Sequence, residues 1–120
     1  MQAEKSIQNL ILNYLNNFVE NSIAYEIYNG GVPACARGSR VIYKKNGPYR
    51  FKGWPDIVWI WRGEVTFIET KTKAKGKTVK GYLSADQKEI HAKIADCGGR
   101  VIVIRSLLEI QNEIGTRIRK

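Results

Sequence analysis

Pro55-Asp56 is followed thirteen positions later (69 − 56) by Glu69-Thr70-Lys71. Two carboxylates and an ammonium at such a spacing suit one kind of chemistry, the hydrolysis of a phosphodiester assisted by a divalent cation. Mg²⁺ prefers one or two protein carboxylates, several waters and phosphate oxygens. Such an ion polarises the phosphodiester and lowers the pKa of a bound water. A lysine beside it can orient the attacking water and offset charge in the transition state. The plain alternative is a buried ion pair without chemistry, which a single Glu-x-Lys on a strand usually is.

The elements around these residues must bring them together. Ile57 to Trp61 is a continuous apolar run, which predicts a strand buried on both faces, with Asp56 at its mouth. A carboxylate there is costly unless it is paired or binds a metal. Arg62-Gly63-Glu64 reads as a tight connection into a second strand, Val65 to Lys71. Residues two apart on a strand share a face, so Glu69 and Lys71 should lie side by side. A hairpin that pairs position 61 with 65 sets position 56 opposite about 70, and Asp56 then lies near Glu69 and Thr70.

Ile7, Leu10, Ile11, Tyr14, Leu15, Phe18 and Val19 recur at helical spacing and predict an amphipathic helix over about residues 3–20. Ile23 to Tyr28 reads as a strand, closed by Gly30-Gly31 and Pro33. Residues 34–53 are polar and basic, with a short strand over Arg40–Lys44 and a turn at Asn46-Gly47. Ser84-x-x-Gln87 has the form of a capping box and starts a helix that Gly98-Gly99 ends near Cys97. Val101 to Ile104 is a strand, parallel to the one before the helix, and residues 106–114 form a last helix. The order predicts one α/β domain over residues 1–120, a mixed central sheet flanked by helices.

Further candidates surround the block. Gln87 falls in the first turn of its helix, where it can cap Ser84 or face the site; one hydrogen-bond geometry is not expected to serve both. Glu4 continues the apolar face of the first helix, three before Ile7 and seven before Ile11, although an acid in a first turn also suits the helix dipole. Glu20 is its competitor at the far end. His91, the single histidine, reads as packing or solvated on its helix face. Arg37, Arg40, Lys44, Lys45, Arg50 and Lys52 precede the block and Lys73, Lys75, Lys77 and Lys80 follow it. Phosphate contacts are expected from Arg40, Lys52, Lys73, Lys75 and Lys77. Trp54 and Tyr82 suit base stacking and core packing equally.

The bulk numbers narrow the partners. Twenty Lys and Arg against eleven Asp and Glu give a net charge of +9 and a pI near 9.7 in a 120-residue chain. That favours a polyanion, nucleic acid first, because each neutralised phosphate releases counterions. With 43% hydrophobic and 26% charged residues the chain is too apolar for disorder, and no run is long enough to span a membrane. Its two cysteines, Cys35 and Cys97, have no metal-like spacing; free thiols are expected, and with them a cytoplasmic location.

Gly53-Trp54-Pro55-Asp56 followed by Glu69-Thr70-Lys71 resembles the PD-(D/E)XK nuclease motif. Lys52-Gly53-x-Pro55-Asp56, Phe67-Ile68-Glu69-x-Lys71 and Leu83-Ser84-x-x-Gln87 are similar to the VRR-NUC branch of that superfamily, whose single-domain members are common in phages. The resemblance spans residue 4 to about 104. It implies a restriction-endonuclease-like core and Mg²⁺- or Mn²⁺-dependent cleavage of DNA. Metal binding would fall to Asp56, Glu69, the Thr70 carbonyl and, on the first helix, Glu4; Lys71 would be the catalytic lysine, with Gln87 at the site. It further implies structured or branched DNA as substrate and a homodimer, in the cytoplasm of the host if the chain is phage-encoded. A non-catalytic nucleic-acid-binding module, a Holliday junction resolvase and a restriction-type enzyme on the same fold are the alternatives.

Overall fold

Ile7, Ile11 and Leu15 fall on one stripe of a helix, α1 (Ala3–Asn17), and that stripe closes one side of a sheet. The computed structural model describes residues 3–27, 32–37, 40–44, 53–72 and 83–118, with side chains for 4–27, 53–72 and 83–118. After α1 come strands β1 (Ser22–Glu26), β2 (Val32–Arg37), β3 (Arg40–Lys44), β4 (Ile57–Trp61) and β5 (Glu64–Thr70). Helix α2 (Ala85–Asp96), strand β6 (Arg100–Ile104) and helix α3 (Leu107–Ile118) complete the order. A four-stranded sheet runs β1-β4-β5-β6, with β1, β4 and β5 antiparallel and β6 parallel to β5. This is a mixed sheet with three flanking helices. β2 and β3 form a separate antiparallel pair.

The alternation of β4 decides which side is the core. Ile57, Trp59 and Trp61 are buried, and through the register they share a face with Thr66, Ile68 and Thr70 of β5. α1 and α3 cover that face with Ile11, Leu15, Ile110 and Ile114. Asn16 ties α1 to β1, donating to the Ala24 carbonyl at 2.9 Å and accepting from the Ala24 N–H at 2.8 Å. Phe67 and Glu69 point to the other face, where α2 brings Ile90 and Gln87. Among the described residues no helix is long and apolar enough to cross a membrane.

Five expectations need correction. β4 is not buried on both faces, because α2 covers only part of the second one and Ile60 remains 46% exposed. The hairpin is one residue tighter than expected: Trp61 pairs with Glu64 across Arg62 (φ 56°) and Gly63 (φ 79°). Two consecutive positive φ values give the type I′ turn that matches strand twist. Extending the register from Ile57↔Ile68 sets position 56 opposite 69, not 70. α1 ends at Asn17 rather than 20, leaving Phe18 exposed, while α3 runs on to Ile118 through Gly115. β2 lies where no strand was expected, with Pro33 inside it next to an irregularity between Pro33 and Cys35; the outer position of a two-stranded pair tolerates the missing donor. Asn46-Gly47 lies outside the described residues.

One-sided burial of β4 has a measurable consequence. Trp59→Ala should cost about 3–5 kcal/mol of stability, and Ile60→Ala less than about 1 kcal/mol, in urea denaturation. Equal losses would mean that both faces are packed.

Candidate functional site

The sheet end where β4 starts and β5 finishes gathers the residues of the Asp56–Lys71 block. The Asp56 N–H donates to the Ile68 carbonyl at 3.0 Å, and the Asp56 carbonyl accepts from the Ile27 N–H at 2.7 Å. Both strand neighbours therefore hold its backbone one residue beyond β4. Its side chain is fixed as well: Oδ2 accepts from the Thr70 N–H at 2.9 Å and from the Thr70 hydroxyl at 2.7 Å. Lys71 follows β5 directly, and its N–H donates to the Ile104 carbonyl at 3.1 Å, which extends the parallel ladder to that point.

Glycine sets the approach of the loop to α2. Gly53 has φ 89°, and a Cβ there would stand 2.5 Å from the Asp86 carbonyl carbon and 2.7 Å from the Gln87 nitrogen. Any side chain would push the first turn of α2 away from the Pro55-Asp56 segment. That turn carries Gln87, which uses its two amide ends separately. Oε1 accepts from the Ser84 N–H at 2.9 Å, closing the capping box with the Gln87 N–H donating to Ser84 Oγ at 3.2 Å. Nε2 donates to Glu69 Oε2 at 3.0 Å. Capping and site contact, expected to exclude one another, coexist because a primary amide has an acceptor at one end and donors at the other.

Glu69 is 2% exposed. Its Oε1 is buried without a hydrogen bond and faces His91 Nε2 at 3.4 Å, itself buried without a partner. Burial pushes the Glu69 carboxyl up to about 9; the charge of Asp56 and a hydrogen bond between the two carboxyl groups add to this, Lys71 opposes it, and Glu4 adds the smallest contribution. His91 is held below its ordinary value by burial first and then by the Lys71 charge, with Asp56 opposing. Among the described residues, Asp56 and Glu4 therefore act on Glu69 in one direction and Lys71 in the other.

The expected site residues fall into three groups. Asp56, Glu69, Thr70 and Gln87 are joined by direct hydrogen bonds, and Lys71 stands within electrostatic reach. Glu4 is exposed in the first turn of α1 and touches the site only through its charge, while Glu20 lines a cavity with Trp61 and Arg62 at the opposite end of the sheet. Lys52, Lys73, Lys75, Lys77, Lys80 and Tyr82 lie outside the described residues, and Arg40 is described only as backbone in β3. Trp54 packs on Phe67, ring centroids 5.7 Å apart, beside a cavity of about 410 Å³ that Ile90, Ile94 and Cys97 also line. Cys97 is a free thiol. His91 is the residue that sequence reasoning placed elsewhere. Its spacing of four from Gln87 put both on one helix face, and that was the available signal.

Among the described residues, no three His, Cys, Asp or Glu side chains converge as a metal centre. Two carboxylates meet, and one oxygen of the more buried has no donor. A divalent cation of the Mg²⁺ kind fits that donor set, since it takes one or two carboxylates and completes its shell with water and phosphate. Comparison of the chain with protein-family models, with curated proteins and with solved structures returns no match.

The raised Glu69 carboxyl makes stability depend on pH. From the ordinary 4.5 up to about 9 only the folded state keeps this proton, so without divalent cations stability falls as pH rises through that window and levels off above it. His91, lowered from 6.5, acts in the opposite direction below that value, because the unfolded chain then binds the extra proton. Between pH 6.5 and 9 in EDTA the melting temperature of wild type should therefore drop more than that of Glu69→Gln. Parallel curves would show that Glu69 keeps an ordinary carboxyl.

Proposed function

We propose that the chain is a divalent-metal-dependent deoxyribonuclease of the PD-(D/E)XK type, nearest the VRR-NUC branch, on a restriction-endonuclease-like core. The observation that carries this reading is the pairing of the buried Glu69 carboxyl with the half-buried Asp56 carboxyl at adjacent strand ends, with Lys71 within electrostatic reach. A structural ion pair would match one acid to one base. Here two carboxyl groups meet and, among the described residues, Glu69 Oε1 has no hydrogen-bond partner, which a cation would supply.

Asp56, Glu69 and the Thr70 carbonyl would hold Mg²⁺ or Mn²⁺, with Glu4 nearby; the ion would supply a polarised phosphodiester and an acidified water. Gln87 orients Glu69 by holding Oε2, so that Oε1 stays available. Thr70 orients Asp56 through two donors to Oδ2, leaving Oδ1 for other work. Lys71 would place an ammonium beside the attacking water and the developing negative charge. Water cleaves the P–O bond: its oxygen joins phosphorus, and the leaving oxygen departs with a proton.

DNA is the polyanion that the net charge of +9 favours, and structured or branched DNA is the substrate that the VRR-NUC resemblance suggests. A homodimer belongs to the same proposal. Ile23, Tyr25, Ile60 and Val65 are exposed on one sheet face, a patch a second copy would bury.

Purified protein should nick plasmid or four-way-junction DNA with Mg²⁺ or Mn²⁺. Lys71→Ala should lower the rate about 10²–10³-fold with an unchanged melting temperature. Wild-type protein that binds these DNAs yet cuts none of them with either metal would instead be a binding module.

A further inference from the structure

Among the described residues, Glu69 Oε1 and His91 Nε2 are the two buried side-chain polar atoms at this end of the sheet without a hydrogen-bond partner, and they face each other at 3.4 Å. That separation is long for a hydrogen bond between a ring nitrogen and a carboxylate, which is strongest near 2.7–2.9 Å. It matches a different arrangement. Two ligand atoms each about 2.1 Å from one ion, and about 90–110° apart, lie roughly 3.0–3.4 Å from one another. Both atoms are of types that bind metals, and among the described residues neither has a hydrogen-bond partner.

Their surroundings keep them in place. Gln87 and His91 are one turn apart on α2, and Gln87 Nε2 holds the other oxygen of the same carboxylate at 3.0 Å. The capping box anchors that turn, and Gly53 lets it press against the Asp56 segment. Glu69 is 2% exposed and the His91 side chain 13%, so bulk water is a poor substitute partner for either. At 3.4 Å the two atoms lie opposite one another without a hydrogen bond between them.

Resting on the metal-site reading above, we infer that His91 Nε2 is a ligand of the same ion that Glu69 Oε1 holds, and that this nitrogen tilts the site from Mg²⁺ toward first-row transition ions. Imidazole suits the borderline ions, whereas Mg²⁺ is best served by oxygen alone. Asp56, engaged with Thr70, adds its charge, and water or a phosphate oxygen fills the remaining positions.

Mn²⁺ binding to the DNA-free protein tests this by electron paramagnetic resonance. Wild type should bind Mn²⁺ with a ¹⁴N imidazole coupling in the pulsed spectrum, and Glu69→Gln should abolish the binding. His91→Gln and His91→Ala, checked for folding by circular dichroism, should lose the coupling. They should weaken Mn²⁺ at least about tenfold while changing Mg²⁺ affinity much less. Glu69-dependent Mn²⁺ binding without nitrogen coupling, or an unchanged Mn²⁺/Mg²⁺ affinity ratio in His91→Gln, overturns the inference and leaves the nuclease reading to the Lys71→Ala cleavage assay. No Glu69-dependent binding of either ion overturns the assignment of a metal to this site altogether. Nitrogen coupling in a protein that cuts no DNA would leave His91 as a ligand and remove the nuclease.

Discussion

Taking a carboxylate out of water costs several kcal/mol unless donors or a cation replace the lost hydration. Glu69 sits in this chain at 2% exposure with a second carboxyl beside it, and much of the surrounding structure is arranged about that fact. Gln87 supplies one donor to Oε2. To do so it must stand in the first turn of α2, which the Ser84 cap starts there and which Gly53 allows to approach. Thr70 satisfies Asp56 from the backbone and the hydroxyl together. Each device answers one oxygen, and Oε1 of Glu69 stays buried without a hydrogen bond.

The register of one hairpin makes the pairing of the two carboxyls possible. In a sheet of period two, a slip of one residue turns every side chain to the other face. With Trp61 opposite Glu64, Ile57 opposite Ile68 and position 56 opposite 69, the start of β4 and the end of β5 offer their acids to one another. A three-residue connection would have set Asp56 opposite Thr70 and moved Glu69 out of step. Arg62 and Gly63, both at positive φ, are thus as much a part of the site as the residues at the other end of the strands.

This division explains what could be read from the sequence. Asp56, Glu69 and Lys71 were legible because strand periodicity and a short connection constrain them strongly, and Ser84-x-x-Gln87 because a capping box has a fixed spacing. The exact turn was not, since Arg62-Gly63-Glu64 fits a two- or a three-residue loop, and only the packed core chooses between them. The two simultaneous bonds of Gln87 were missed because sequence shows which side chains are near a helix start but not which end of an amide each partner meets. His91 was missed for a related reason. A lone histidine on a helix face has no spacing signature, and its role depends on Glu69 lying across the gap. β2 was hidden by Pro33 and by the short basic run around it.

At the opposite end of the sheet a buried charge is met in part by side-chain hydrogen bonds. The Arg117 side chain is 7% exposed, yet its Nε donates to Glu113 at 2.9 Å and its Nη2 to Thr66 Oγ1 at 2.9 Å. The remaining nitrogen, Nη1, has no hydrogen bond but lies 3.7 Å from a Glu64 carboxylate oxygen, and the guanidinium stacks over Trp59 at 4.6 Å. Arg117 and Arg100 there share the Glu113 carboxylate, and Arg117 also meets Glu64 and an aromatic face, a favourable arrangement for the fold alone. At the Asp56–Glu69 end two carboxyl groups meet instead, and the two unpartnered atoms among the described residues are a carboxyl oxygen and an imidazole nitrogen. Among the described residues each end of the sheet keeps a buried side-chain atom without a hydrogen bond, Arg117 Nη1 at one and Glu69 Oε1 and His91 Nε2 at the other. What distinguishes the Asp56–Glu69 end is the chemistry of those atoms: a carboxyl oxygen and an imidazole nitrogen can ligate a metal, whereas a guanidinium nitrogen has no lone pair to offer.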